Sequence, residues 1–109
     1  NMSSQRMYRI SFINQDQLFE IYARHVGQSD MYGFIEVEEF VFGSRSQMLV
    51  DPGEEKLKGT FADVKRSFIP MHSIVRIDEV KKEGVSKISD ARGAVAAFPL
   101  AGTVPPRDK

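Results

Sequence analysis

The chain has 109 residues, enough for one domain with its own core, and its lack of cysteine excludes disulfides, thiolate nucleophiles and zinc–thiolate centres. Its formal net charge is zero, which excludes a bulk attraction for nucleic acid or anionic lipid. No apolar run approaches the ~18 residues of a membrane span, and the first residues lack the apolar core of a signal peptide, so a cytoplasmic protein is expected.

The charge is uneven along the chain. Residues 1–64 carry 6 basic and 10 acidic side chains, and residues 65–109 carry 9 basic and 5 acidic, so the halves stand at −4 and +4. Two readings follow. Strands of opposite charge pair across a sheet, or one acidic and one basic face dock head to tail.

In chain order, residues 1–6 are polar. Met7–Ile13 alternates, with Tyr8, Ile10 and Phe12 on one face and Arg9 and Ser11 on the other, which is the period of a half-buried strand. Asn14–Gln17 is a polar connector of hairpin length. Leu18–Val26 alternates again, Phe19, Ile21 and Ala23 facing one way and Glu20, Tyr22 and Arg24 the other. Gly27–Tyr32 is a loop by composition. Gly33–Gly43 is a third strand, Ile35 and Val37 sharing one parity and Glu36 and Glu38 the other. Phe40-Val41-Phe42 then breaks the alternation. Either an extra residue near Glu38-Glu39 forms a bulge, or the strand bends from one sheet layer into the next.

A short strand is expected at Gln47–Val50. Asp51–Val64 is the one helical segment: Asp51 as N-cap, Pro52 at N1, Glu54 completing a capping box, and Leu57, Phe61 and Val64 as an apolar stripe. Gly53 and Gly59 each weaken it by about 1 kcal/mol relative to alanine. A helix this short therefore needs Leu57 and Phe61 laid on the sheet. Lys65–Ile69 and Ser73–Val80 read as strands separated by Pro70, which cannot sit inside a central ladder. Met71-His72-Ser73 is then a single helical turn at a barrel corner. Val85–Ser89 is a last short strand. The chain divides into one β-rich domain, residues 7–89, and a Pro/Ala/Gly-containing tail, residues 90–109, whose Val95, Phe98 and Leu100 are expected to rest on this domain or on a neighbouring copy.

Candidate chemistry is sparse. His25 and His72 are the two histidines, without HxH, HxxxH or HExxH spacing. Both read as surface groups, and His72 is the better placed, at the Pro70 corner. Asp16, Glu20, Asp30, Glu36, Glu38 and Glu39 lack the spacing of a calcium loop and read as solvent-face charges, so neither metal nor cofactor is expected. Arg24, Arg66, His72 and Arg76, with Tyr22 and Tyr32, are the candidate binding residues. Small barrels bind single-stranded RNA by stacking bases on aromatics in a positive groove, and the alternative is that these cations pair across strands. No phosphate loop, GxSxG elbow or Walker pattern is present, and no catalytic residue is assigned.

Three stretches carry a resemblance: YRISFINQDQLFEIYARHVGQSDMYGFIEVEEFVFG, VDPGEEKL and VKRSFIPMHSIVRIDEV. Together they resemble a family of small bacterial proteins, domain of unknown function 1820, over Met7 to Val80. The resemblance implies no activity and carries no catalytic residue across. Locally, IPMHSIVRI is similar to the proline–turn–strand segment of SH3-like barrels, although the tryptophan of the SH3 peptide groove is absent.

The expected fold is mainly β: a small antiparallel, SH3-like, partly open barrel of about six strands with one short helix. The alternative is an α+β arrangement, the helix across one face of an antiparallel sheet. The expected function is a non-enzymatic binding or adaptor module working through protein–protein contacts or self-association. Single-stranded RNA binding is the rival, and no membrane partner is expected.

Overall fold

The computed structural model describes residues 6–43 and 50–92. It is mainly β, with six antiparallel strands in one open sheet and one short helix. The strands are β1 (Met7–Asn14), β2 (Gln17–Gln28), β3 (Phe34–Val41), β4 (Arg66–Pro70), β5 (Ile74–Val80) and β6 (Lys87–Asp90), and the helix is α1 (Pro52–Thr60). The expected strand at Gln47–Val50 lies outside the described residues except for Val50, which is irregular and exposed.

The sheet runs β4-β3-β2-β1-β5, and β6 pairs with β2. β1 takes one edge of β2, while β3 and β6 share the other, β6 against Gln17–Glu20 and β3 against Tyr22–Gln28. β4 and β5 stand at opposite ends of the path, yet only the 3-10 turn Met71–Ser73 separates them. Five flat strands would hold their outer members about 19 Å apart, whereas a three-residue 3-10 turn advances only about 6 Å. The sheet therefore curls until its two ends approach one another. Pro70 ends β4 on that edge strand, where its missing N–H disrupts no central ladder. The turn is tied down by Met71 N–H donating to Gly33 O at 2.8 Å, and Gly33 sits at φ +84.

Inside the curl lie Ile10 and Phe12 of β1, Phe19, Ile21 and Ala23 of β2, Val37, Ile69 and Leu57. The rings of Phe12 and Phe19 pack at 5.1 Å across the first hairpin. That hairpin turns through Gln15 and Asp16, both at positive φ (52 and 64), the geometry of a type I′ turn.

The parity break in β3 is a bend. Tyr22↔Val41, Ala23↔Phe40, His25↔Glu38 and Val26↔Val37 keep one register throughout, so no residue is inserted. The pair between them, Arg24 and Glu39, drops out of the ladder, and Glu39 adopts φ +59. Both strands turn over together there: Ala23 and Val26 both face the core, and so do Val37 and Phe40. A bulge does occur elsewhere. Ser11 pairs with Arg76 and Phe12 with Ile74, which leaves Val75 of β5 unpaired.

The helix stops sooner than the sequence spacing predicts. Asp51 caps it, its Oδ1 accepting from Gly53 N–H at 3.2 Å, and Pro52 opens it. Phe61 leaves helical geometry at φ −103, ψ 10, and the chain continues in tighter bonds, Ala62 N–H to Gly59 O and Val64 N–H to Phe61 O. Val64 is thus exposed, outside the apolar stripe, while Leu57 is fully buried and Phe61 packs on the core. Glu54 is buried, and its Oε2 accepts from Ser86 N–H at 3.1 Å, tying α1 to the segment before β6. The ladder also runs past the expected domain end at residue 89: Asp90 pairs with Gln17, and the buried Ala91 donates its N–H to Asp16 O at 3.0 Å.

Candidate docking groove

The bend at Glu39 turns Phe40 and Phe42 toward the core side just where β3 leaves β2 behind. Phe61, at the C-cap of α1, meets both rings, at 4.7 Å from Phe40 and 6.2 Å from Phe42. All three remain partly exposed. They form the floor of an open groove of about 470 Å³ between the end of β3 and the segment joining α1 to β4. Ala62 and Val64 extend the apolar floor, and Lys58, Lys65 and Glu39 stand around it. Two ammonium groups against one carboxylate give the rim a positive bias beside an aromatic surface. The described lining holds no hydroxyl, thiol or imidazole, and its side chains offer apolar contact and ion pairing.

The residues expected to bind from their sequence pattern lie elsewhere and do not converge. Tyr22 is buried at 5% exposure, against its expected place on a solvent face. The segment between β5 and β6 covers it, with Gly84 so close that an added Cβ would stand 2.5 Å from the Tyr22 hydroxyl. It presents no ring to a base. Tyr32 is fully exposed in the loop before β3. Arg66 Nε bonds Glu38 Oε2 across β3 and β4. Arg76 Nε meets Asp78 Oδ2 at 2.9 Å, and Arg9 Nη2 meets the same oxygen at 2.7 Å. Arg24 Nη1 donates to Arg6 O at 3.4 Å, and His72 is exposed on the 3-10 turn. Of these ion pairs, Glu38–Arg66 follows the cross-strand reading of the charge halves, whereas Arg9–Asp78 crosses strands with the signs reversed and Arg76–Asp78 lies within β5. The bonds to Arg9 hold the Asp78 carboxyl below its ordinary range, with Arg76 adding to the effect, and Arg9 is raised by Asp78 first and Tyr22 second.

One pair was not legible from spacing. His25 Nε2 lies 3.2 Å from Glu36 Oε2, diagonally across β2 and β3. The imidazole is about half exposed on an open sheet face, away from the groove. Among the described residues no three His, Asp or Glu side chains converge in a way that would hold a metal ion. Val95, Phe98 and Leu100, the expected interface, lie outside the described residues.

The profile of one family, described as a domain of unknown function (DUF1820), matches residues 6–100. The chain belongs to the DUF1820 family. No curated protein and no solved structure matches it. The DUF1820 match takes in all six strands, α1 and the groove. It extends past the last described residue, Arg92, to Leu100, further than the Met7–Val80 stretch that carries the resemblance in the sequence.

Proposed function

We propose that this DUF1820 chain is a non-catalytic protein-binding module whose docking surface is the Phe40–Phe42–Phe61 groove. One observation carries the reading: three clustered aromatic rings left partly open to solvent, with Lys58 and Lys65 at their edge. Half-buried aromatic surface of this kind gives apolar contact at little cost in side-chain entropy, and flanking cations select for acidic neighbours. The fitting occupant is a short segment of a partner protein that sets an aromatic or branched apolar side chain on Phe61 and a carboxylate beside Lys58 or Lys65. The strand path and the Pro70 corner support an SH3-like description of the barrel, but that likeness brings no ligand with it. A chain without cysteine is compatible with a reducing compartment. No helix among the described residues is long and apolar enough to cross a membrane.

Selection of a random peptide display library on the full chain tests this. Enriched peptides carry an aromatic or branched apolar residue beside Asp or Glu, and their affinity falls with rising salt. The charge-reversed variant K58E/K65E alters two exposed side chains and leaves the core intact, and it loses them. Enrichment of peptides without acidic residues, or binding indifferent to that variant, overturns the reading.

A further inference from the structure

We propose that β5 is a self-complementary edge through which two copies of the chain pair antiparallel, with Ile77 against Ile77 on the twofold axis and Arg76 against Asp78 on either side of it. The proposal is independent of the groove, which is lined by the end of β3, α1 and the segment before β4.

The sheet path leaves one side of β5 open. Its other side pairs with β1 from Met7 to Phe12, and among the described residues no further strand joins it. The open side carries apolar surface. Ile77 remains 36% exposed although its ladder partner Ile10 is fully buried, and Val75, which β1 skips, is 60% exposed. Such an edge is a template for another strand unless something blunts it. β4, at the opposite end of the path, is blunted by Pro70. The regular part of β5, Arg76–Val80, holds neither proline nor lysine.

The register follows from the side chains. Residues directly opposite each other in an antiparallel ladder share a face, so a strand that pairs with itself about a twofold axis is centred on a residue and never between two. Centred on Arg76, Asp78 or Glu79, the axis sets like charges against each other, which destabilises the pair. Centred on Val80, it needs Lys81 and Lys82 to continue the strand, where the chain bends. Centred on Ile77, it places isoleucine on isoleucine and forms two Arg76–Asp78 pairs, one on each side. The next pair outward, Val75 against Glu79, brings no like charges together.

The ionic half of this interface is already positioned within each chain. Asp78 Oδ2 is held by Arg9 at 2.7 Å and Arg76 at 2.9 Å, while the Arg76 side chain stays 72% exposed. Pairing brings the Arg76 of a second copy to a carboxylate that this network has fixed in place.

The chain has no cysteine, so single cysteines report the register. Directly opposed Cα atoms in an antiparallel pair stand about 4.5–5.5 Å apart, within disulfide range, and residues two positions out of register stand about 8 Å apart, beyond it. In a buffer of reduced and oxidised glutathione, Ile77→Cys yields a disulfide-linked dimer, whereas Arg76→Cys, Glu79→Cys and Val80→Cys do not. Light scattering on the wild-type chain shows a mass rising with concentration from 12.3 kDa toward twice that value. Arg76→Glu, which changes an exposed side chain and sets it against Asp78 of the second copy, weakens association at least tenfold with its circular dichroism unchanged. The cysteine comparison stands even if that variant loses its fold. A wild-type chain that is monomeric at about 1 mM, a concentration at which even weak pairing registers, overturns the proposal. So does a dimer that a folded Arg76→Glu leaves intact, or cross-linking through position 76, 79 or 80 in preference to 77.

Discussion

Gly84 shows how much a single backbone approach decides. A methyl group there would stand 2.5 Å from the buried Tyr22 hydroxyl, and Tyr22 is held within the sheet beside Arg9. Gly84→Ala should cost about 1–3 kcal/mol by overpacking, read as a lower denaturant midpoint. Gly27→Ala is its control, because an added Cβ there meets the His25 ring at an ordinary 3.5 Å. Asp78 makes a second residue-scale prediction. Its folded carboxyl titrates below the ordinary range because it accepts from Arg9 and Arg76. The stability it contributes is therefore present above about pH 4 and is lost as pH falls through the lowered value. Stability measured against pH should decline on the acid side, and Asp78→Asn should flatten that limb and lower the plateau at neutral pH. The alternation of Glu20, Tyr22 and Arg24 assigns Tyr22 to solvent. Nothing local to β2 announces that a segment more than sixty residues later will cross over it.

At the scale of elements, the helix separates capping from packing. Asp51→Ala removes the acceptor for Gly53 N–H and should cost about 1 kcal/mol. Leu57→Ala empties a fully buried position and should cost about 2–5 kcal/mol, with helical circular dichroism lost in step with the sheet signal. If Leu57→Ala proved no worse than Asp51→Ala, the helix would not depend on the sheet for its existence. The helix start was legible because Asp51-Pro52 is a local signal, whereas its end was not, since Phe61 and Val64 keep helical spacing and only the geometry at Phe61 separates them. The strands of the first hairpin were legible from alternation alone. The bend at Glu39 left a broken parity in the sequence but no means of telling bend from bulge, which takes the register with β2. The groove stayed hidden for the same reason: Phe40 and Phe42 meet Phe61 only after that bend.

For the whole molecule, net neutrality and cross-strand pairing bear on the rival function. Arg66 and Arg76 already face carboxylates, and Tyr22 is buried. Titration with labelled single-stranded RNA should be flat even at low salt, and a steep salt-dependent isotherm would restore the nucleic-acid reading. The pairing of Met7 with Val80 has a further consequence, in time. The β1–β2 hairpin is assembled from neighbours, but β5 can settle on β1 only after most of the domain has been gathered between them. Such non-local closure places folding in the millisecond-to-second range, with the hairpin turn formed early and the last edge late. Q15N/D16G, which suits the positive φ of both turn residues, should then speed refolding, whereas Ile74→Ala at the head of β5 should mainly hasten unfolding. The proline corner, so plain in the sequence, would be among the last pieces of the molecule to find its place.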